Sequence, residues 1–250
     1  MGLPLLTKKY CVRLSDVGVH GLLRGAVLMN ILQDIAAEHA MKLGFGVQGL
    51  ADKGLAWFLG RLSVRVSRYP RWDEEITVSS WPSGCKGLMS LRDFEITDSA
   101  GNIIAAASSG WLVVDLERRR PLRPSRALGD IPVNRRRALE SDFAEIDELP
   151  ACHYSRSFEP RFAEIDMNNH INNSIYLTWA SESLPQEVLS SYVPAEIEIA
   201  FKSEVALGKS VAVETFVHDD EGEVKTAVHT ICQSGSENLA AKLKTVWRPV

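Results

Sequence analysis

The alternation of apolar and polar residues predicts one long helix near the start of the chain, followed by a run of strands. Between residues 24 and 43, apolar side chains recur at three- and four-residue intervals, and Gly44 and Gly46 end the pattern. Strand-like segments follow, and Pro82-Ser83-Gly84 is predicted to be one of the turns between them. Strands are predicted at residues 10–14, 55–67, 75–81, 88–97 and 103–115.

The second half of the chain repeats this order of elements, which predicts an internal duplication. Its four strands are expected at residues 195–202, 210–218, 225–233 and 239–247, with a turn at Asp219-Asp220-Glu221-Gly222. The residue matches between the halves are Asp16, Gly18 and His20 with Asp166, Asn168 and His170 at an offset of 150, and Asn102, Ala105 and Trp111 with Asn238, Ala241 and Trp247 at an offset of 136.

A helix followed by an antiparallel sheet that can wrap around it is the pattern of the hotdog fold. The apolar stripe of such a helix must be buried against the concave face of the sheet, since neither element covers itself. The predicted fold class is therefore α+β, a double hotdog made of two tandem repeats. We expect the N-terminal hotdog at residues 1–130 and the C-terminal one at 131–250. The stretch 117–150, rich in arginine, proline and acidic residues, is interpreted as the linker.

One short stretch of the second half concentrates polar groups that can carry chemistry. Asp166, Asn168 and His170 occupy alternate positions, so an extended backbone would project all three side chains to one side. Asn172 or Asn173 can then cap a helix that ends at Pro185. Titratable groups beside a helix N-terminus, where unpaired N–H groups favour negative charge, indicate an active site.

Composition and charge narrow the function classes. The chain is 45% hydrophobic and 24% charged with a formal net charge of −4, so no general affinity for nucleic acid or anionic membranes is expected. Its four cysteines are scattered and form no metal-binding or disulfide pattern, and neither a metal nor an organic cofactor is implied. No apolar run reaches membrane-spanning length and residues 1–9 lack a signal-peptide core, so a cytoplasmic location is expected.

The motif Asp-Met-Asn-x-His-x-Asn-Asn-x-x-Tyr at residues 166–176 resembles that of the acyl-carrier-protein (ACP) thioesterase family of plant plastids and bacteria. The strand Ile199-Ala200-Phe201-Lys202-Ser203-Glu204-Val205 resembles the aromatic-basic-x-Glu-Cys segment of that family, and the similarity covers essentially the whole chain. First-half residues that also resemble the family are Trp57, Arg61, Pro70, Trp72, Arg92, Asp93, Trp111, Asp115, Arg118 and Arg119.

The resemblance implies hydrolysis of fatty acyl-ACP thioesters, with Asp166, Asn168, His170 and Glu204 as the catalytic set. Because Val205 stands where the family has cysteine, an acyl-cysteine intermediate is impossible there, and water is the expected nucleophile. Glu204 would activate that water, with His170 as its partner or as the alternative base. Asn168 would orient the water or bind the carbonyl oxygen, and Asp166 would hold His170 or Asn168, although an Asx-turn role suffices for it.

The first repeat lacks the proposed amide and base. Gly18 matches Asn168 at the offset of 150, and either Arg68 or Tyr69 matches Glu204. We therefore expect one active site per chain, in the second half, with the first half shaping the acyl pocket.

Other functions and partners remain open from sequence. The motif does not identify the carrier, so an acyl-CoA thioesterase is one alternative, and a non-catalytic acyl-thioester-binding hotdog is another. A dehydratase is disfavoured, because the motif belongs to the hydrolytic branch. Acyl chain length is not encoded in the motif, and both a monomer and a homodimer are compatible with a tandem chain. Eight arginines could dock an acidic carrier protein or be paired within a solvated linker: Arg118, Arg119, Arg120, Arg123, Arg126, Arg135, Arg136 and Arg137.

Overall fold

The structure is a computed structural model that describes residues 4–141, 143–218, 223–235 and 238–250. The chain forms two compact units. The first unit contains residues up to Arg24 together with Leu28–Phe143, and the second contains Gly25–Val27 and Ala144–Val250. The division thus falls later in the chain than residue 130. Within this later stretch the Arg137 Nε donates to the buried Asp93 carboxylate of the first unit's sheet at 2.9 Å.

The first unit consists of a long helix and an antiparallel sheet of long strands, with short elements at its margins. The strands lie in the order β1-β3-β4-β5-β2, and β6 pairs with β5. A single 3₁₀ turn at Leu14–Asp16 precedes the long helix. The elements are β1 (Leu6–Cys11), α1 (Gly25–Lys42), α2 (Val47–Ala51), β2 (Leu55–Val66), β3 (Glu75–Lys86), β4 (Met89–Thr97), β5 (Ile103–Asp115), β6 (Arg120–Leu122) and α3 (Pro124–Leu128).

The predicted order of one strand, one helix and four antiparallel strands is confirmed in this unit, but two boundaries differ. β1 lies at Leu6–Cys11 rather than at 10–14. The turn predicted at Pro82-Ser83-Gly84 is wrong, because β3 continues through it to Lys86. A shift in register between Pro82 and Gly84 absorbs the proline, which has no N–H for the ladder. The chain reverses at Gly87 instead, where φ is 61°.

The second unit repeats the architecture with a shorter helix. Its strands are antiparallel and lie in the order β8-β11-β10-β9-β7. A 3₁₀ turn at Phe162–Glu164 precedes the helix. The predicted turn at residues 219–222 lies outside the described residues. The elements are β7 (Tyr154–Phe158), α4 (Asn173–Glu182), α5 (Gln186–Ser191), β8 (Tyr192–Phe201), β9 (Val211–Val217), β10 (Lys225–Gln233) and β11 (Leu239–Pro249).

Hydrogen bonds within the two sheets confirm the duplication and its offset of 136 near the end of each repeat. The Trp111 Nε1 donates to the Ser109 Oγ at 2.8 Å, and the Trp247 Nε1 donates to the Thr245 Oγ1 at 2.8 Å. Each tryptophan is two residues beyond its acceptor on the last long strand of its unit. The chain is therefore an α+β double hotdog. Within the described ranges, no helix combines the length and apolar character that a membrane crossing requires.

Candidate active site

The motif stretch is a tight hairpin loop in the second unit, not an extended strand. A single antiparallel bridge joins Ile165 to Ile171, and the Asp166 N–H donates to the His170 carbonyl at 2.8 Å. The Asn169 N–H donates back to the Asp166 carbonyl at 3.0 Å, and Asn169 takes a left-handed φ of 62°. Asparagine tolerates this conformation better than most residues. The expectation that alternate side chains project to one side of a strand is therefore wrong.

The Asp166 carboxylate organises this loop through an Asx turn. Its Oδ1 accepts the Asn168 N–H at 2.8 Å and the His170 N–H at 3.2 Å. The Asn168 side-chain Nδ2 lies 3.4 Å from Oδ2, and the Asn168 side chain is exposed. A short carboxylate that accepts hydrogen bonds from nearby backbone N–H groups competes with strand pairing for those groups. It therefore stabilises a turn in such a sequence. Asp166 thus fixes the backbone of both Asn168 and His170.

The helix that follows begins at a side-chain cap. The Asn172 Oδ1 accepts the Ser174 N–H at 2.9 Å, and α4 starts at Asn173. Of the two asparagines proposed as caps, the structure uses Asn172. The helix ends at Glu182, before Pro185.

His170 and Glu204 come together from two different segments. The His170 Nε2 lies 3.1 Å from the Glu204 Oε2, and 44% and 49% of the two side chains are exposed. His170 ends the hairpin loop, whereas Glu204 follows β8 in an irregular stretch. A carboxylate and an imidazole in contact, both open to solvent, can bind and polarise a water molecule.

Tyr176 is a neighbour of this pair that the candidate set lacks. It lies on α4, only 3% exposed, with ring centroids 5.4 Å from Trp179 and 5.3 Å from Phe201. Burial raises the pKa of Tyr176 to about 12, and the nearby charges of Glu204 and Asp166 act in the same direction. The sequence signal that could have identified Tyr176 was its position as the last residue of the motif at 166–176.

Residue Val205 is completely buried. The residue after the glutamate therefore contributes an apolar side chain to the core of the unit. Valine at this position offers no nucleophile.

The first unit contains the same pre-helix loop, and its hydrogen bonds show which residues correspond. The Arg13 N–H donates to the Asp16 carboxylate at 2.8 Å, as the Arg161 N–H does to the Glu164 carboxylate at 2.8 Å. The Gly18 N–H donates to a carbonyl four residues later at 2.9 Å, as the Asp166 N–H does at 2.8 Å. The numbers in these pairs differ by 148 (16 and 164, 18 and 166), so the offset of 150 near the helices is wrong.

The corrected correspondence removes every motif side chain from the first loop. Gly18 occupies the position of Asp166, His20 that of Asn168, and Leu22 that of His170. Asp16, which the offset of 150 matched to Asp166, instead corresponds to Glu164. Tyr10 donates its hydroxyl hydrogen to Asp16 at 2.6 Å, so this carboxylate has a structural partner.

The end of the strand settles which first-unit residue corresponds to Glu204. The Ser67 N–H donates to the Ile104 carbonyl at 2.9 Å, as the Lys202 N–H does to the Ala240 carbonyl at 2.8 Å. Two residues further along each chain stand Tyr69 and Glu204. Of the two alternatives, the match is Tyr69 rather than Arg68, and Tyr69 is buried.

Three of the eight arginines considered for docking have carboxylate partners. The Arg137 Nε lies 2.9 Å from the Asp93 Oδ2, and an Arg136 Nη1 lies 2.5 Å from the Glu95 Oε1. The third is Arg118, whose Nη1 lies 3.8 Å from the Asp115 Oδ2, a longer contact than the other two. Residues 134–138 are consequently held on the first unit rather than forming a solvated linker. The exposed arginines concentrate around β6 and α3.

Comparison with known proteins gives two adjacent family matches. Residues 5–127 match the profile described as the acyl-ACP thioesterase N-terminal domain. Residues 149–249 match the profile described as the acyl-ACP thioesterase C-terminal domain. His170 and Glu204 both fall in the second match.

Curated relatives are similar at a moderate level. An oleoyl-acyl carrier protein thioesterase 2 of Arabidopsis thaliana is 28% identical over 79% of this chain and 59% of that protein. A palmitoyl-acyl carrier protein thioesterase of Gossypium hirsutum is 27% identical over 98% of this chain and 64% of that protein. Both relatives are described as chloroplastic, and the chain spans about three-fifths of their length.

Solved structures share the fold across both units. An acyl-ACP thioesterase from Bacteroides thetaiotaomicron superposes with a TM-score of 0.85 at 22% identity, covering 98% of each chain. A 12:0-ACP thioesterase from Umbellularia californica gives a TM-score of 0.87 at 22% identity, covering 98% of this chain and 94% of that one. At this identity the likeness establishes the double-hotdog fold.

Proposed function

We propose that this chain, which belongs to the acyl-ACP thioesterase family, hydrolyses fatty acyl-ACP thioesters to free fatty acid and ACP. The observation that carries the proposal is the contact between His170 and Glu204, 3.1 Å apart and open to solvent in the domain that matches the family's C-terminal profile. A chain that only bound acyl thioesters would have no need for this pair.

The chemistry we propose uses water as the nucleophile. Glu204 removes a proton as the water oxygen bonds to the thioester carbonyl carbon, and the carbonyl oxygen becomes an oxyanion. The oxyanion collapses, the carbon–sulfur bond breaks, and the thiol leaves with the proton that Glu204 had taken. Since an ordinary thiol has a pKa of about 8.5, the sulfur needs little acid assistance. The products are a carboxylic acid, which ionises, and the free thiol of the carrier.

The geometry favours Glu204 over His170 as the base. The His170 Nε2 faces one oxygen of the Glu204 carboxylate, which leaves the other oxygen for a water molecule. His170 then donates its N–H to the carboxylate and holds it in position. The Asn168 amide, exposed at the loop, is the proposed donor to the water or to the carbonyl oxygen. In this scheme Asp166 acts on the loop backbone and does not touch the reacting atoms.

We propose a single active site per chain, and the first unit is proposed to shape the acyl pocket. The corresponding loop carries Gly18 and Leu22 where the second unit has Asp166 and His170, and the position of Glu204 holds Tyr69. A cytoplasmic location is proposed as well, supported by four cysteines that are all free thiols.

His170→Ala is expected to lower turnover of acyl-ACP roughly tenfold to a hundredfold, because the base loses the donor that orients it. The measurement is release of free thiol from acyl-ACP and from matched acyl-CoA substrates across chain lengths, for the wild type and the variant. Turnover by the wild type that prefers acyl-ACP supports the proposal. Turnover of CoA esters alone would identify an acyl-CoA thioesterase. Binding of acyl thioester without turnover of either would favour the non-catalytic alternative.

The arginines around β6 and α3 are proposed to dock the acidic carrier protein. Arg120 and Arg123 are exposed, and the chain as a whole has a net charge of −4, so this stretch is a local exception. Replacing both with serine is expected to raise KM for acyl-ACP roughly fivefold and to leave KM for acyl-CoA unchanged. The matched control replaces the exposed Arg13 and Arg71 with serine, which changes the net charge equally. Equal effects of the two double variants, or equal effects on both substrates, would contradict docking here.

A further inference from the structure

Three exposed apolar side chains lie in the two segments that bring His170 and Glu204 together. Phe162 and Met167 are 81% and 85% exposed, and both lie in the segment that leads to His170. Leu207 is 50% exposed and follows Glu204 in the irregular segment after β8. Single exposed apolar residues are ordinary, but several gathered at one place indicate a surface that another molecule covers.

Backbone hydrogen bonds hold both segments in folded turns beside the pair. The turn that carries Phe162 is folded back against the start of α4, since the Asn172 N–H donates to a carbonyl of that turn at 2.9 Å. In the other segment the Lys209 N–H donates to the Ala206 carbonyl at 3.3 Å, and Leu207 lies in the turn that this bond closes. The apolar side chains are therefore presented from turns with a fixed backbone.

Basic side chains accompany the apolar ones along the same two segments. Arg161 directly precedes Phe162, and an exposed lysine lies on each side of Glu204. We call the six exposed residues the rim, and they are Phe162, Met167, Leu207, Arg161, Lys202 and Lys209. A surface that combines apolar and cationic side chains fits an acidic protein that has an apolar face of its own.

The corresponding segment of the first unit has different charges. The ends of β2 and β8 match at an offset of 135 (residues 67 and 202), and the same offset holds where β3 and β9 begin (residues 76 and 211). Ser67 therefore stands at the position of Lys202, and Glu74 stands at the position of Lys209. The two lysines of the rim thus belong to the unit that carries the reacting pair.

The apolar positions, in contrast, recur in the first unit. Exposed apolar residues stand at the three corresponding positions, at offsets of 148 in the loop and 135 after the strand: Leu14, Val19 and Trp72. They are side chains of the same kind in the same loops, in a unit that has neither the histidine nor the glutamate. The chain therefore contains its own control for the effect of exposed apolar residues.

We propose that the rim docks the acyl carrier protein at the active site and thereby makes acyl-ACP a better substrate than acyl-CoA. The carrier is acidic and must bring its thioester to Glu204, so it approaches both segments at once. CoA has no folded apolar face, so the apolar side chains of the rim act on the carrier alone. This inference rests on the proposed function, and it adds an apolar contact on the second unit to the charged one proposed for Arg120 and Arg123.

Phe162→Ser combined with Leu207→Ser is expected to raise KM for acyl-ACP about fivefold to tenfold, because two apolar contacts are lost. KM for the matched acyl-CoA and kcat for both substrates are expected to stay within about twofold, since neither side chain touches the reacting atoms. The control, Leu14→Ser with Val19→Ser, removes two exposed apolar side chains from the corresponding loop and should leave all constants unchanged. Equal rises for both substrates, or for both double variants, would overturn the proposal.

Ionic strength separates the charged part of the rim from its apolar part. KM for acyl-ACP is expected to rise with salt in the wild type and equally steeply in the variant that lacks Phe162 and Leu207. Arg161→Gln with Lys209→Gln is expected to raise KM about threefold at low salt and to make the salt dependence shallower. The same salt dependence in all three proteins would overturn the role of these charges.

Binding without turnover distinguishes failure of the rim from failure of the proposed function. The probe is an acyl carrier protein whose acyl chain is attached through an amide, and the variant lacking Phe162 and Leu207 should bind it about fivefold to tenfold more weakly. If the wild type hydrolyses no thioester but binds the probe through these side chains, the proposed function fails and the rim stands. If it hydrolyses acyl-ACP and the variant binds the probe equally well, the rim fails and the proposed function stands.

A second copy of the chain and a lipid surface are the other occupants that such residues could take. Sedimentation of the wild type and the same variant tests both, with each protein alone and with vesicles of phosphatidylcholine and phosphatidylglycerol. We expect the two proteins to sediment alike and neither to bind the vesicles. A dimer that dissociates in the variant, or vesicle binding that the variant loses, would overturn the carrier as the occupant of the rim.

Discussion

Replacing Glu204 with glutamine is expected to lower kcat for acyl-ACP by about 10²–10⁴, the range of a lost general base. Glutamine has nearly the same shape as glutamate and its amide oxygen can still accept a hydrogen bond from His170, so the fold and KM should change little. The amide cannot take a proton from water, and Val205 offers no nucleophile to replace it. The measurement is thiol release under saturating substrate, together with KM and the far-UV spectrum of the variant.

Two further variants test whether the effect of Glu204→Gln is specific to the loss of a base. Glu214→Gln removes an exposed carboxylate from β9 of the same unit and should leave kcat unchanged. His170→Ala should cost less than Glu204→Gln, because in the proposed scheme the imidazole orients the base and does not accept the proton. If His170→Ala abolished turnover while Glu204→Gln kept more than a tenth of it, the base would have to be His170.

Sequence periodicity predicted the architecture because it records which faces of the elements are buried. The apolar spacing that indicated a helix over residues 24–43 corresponds to α1, whose buried residues include Leu28, Leu32 and Ile35. The strand predicted at residues 225–233 coincides with β10. The turn predicted at Pro82-Ser83-Gly84 is wrong because local turn chemistry was given more weight than pairing with β4, which carries the strand through a bulge.

The loop of the candidate site was predicted incorrectly for a different reason. Asp166, Asn168 and His170 alternate as strand residues do, but a short carboxylate can bond to backbone N–H groups two and four residues later. That competition between side chain and backbone leaves no trace in a hydrophobic pattern. The wrong offset of 150 has the same cause. Aligning the two halves by residue type matched their Asp–x–x–x–His patterns, whereas the hydrogen bonds that define the loop match at an offset of 148.

Contacts between segments distant in sequence were beyond prediction from local pattern alone. Glu204 was assigned from resemblance, and only the folded chain shows its oxygen 3.1 Å from His170. The bond from Gln233 to the Glu204 carbonyl has no sequence signal, since a glutamine at a strand end is ordinary. Such contacts arise from the pairing of β8, β9, β10 and β11, which fixes where each strand ends relative to its neighbours.

A buried histidine on β10, His229, lies in a chain of neutral hydrogen-bonding partners. His229 is fully buried, with the Thr215 Oγ1 2.8 Å from its Nδ1 and the Thr245 Oγ1 2.9 Å from its Nε2. The chain extends to the Ser183 Oγ at 2.6 Å from Thr215 and to the Trp247 Nε1 at 2.8 Å from Thr245. Burial without a carboxylate partner in this chain lowers the pKa of His229 to about 3.

Acidification is therefore expected to destabilise the protein through His229. Its folded pKa of about 3 lies below the ordinary value of 6.5, so the unfolded chain takes up the proton first and stability falls as pH drops from 6.5 toward 3. Between pH 6.5 and 4.5 this should remove roughly 2–3 kcal/mol from the free energy of unfolding, at about 1.4 kcal/mol per pH unit. Urea titrations followed by tryptophan fluorescence should show that dependence in the wild type and in the control His218→Gln, whose histidine is exposed. His229→Gln should be less stable at neutral pH, because glutamine does not reproduce both hydrogen bonds, but its stability should fall less steeply with acid. Equal slopes in all three proteins would mean that His229 is not the group being titrated.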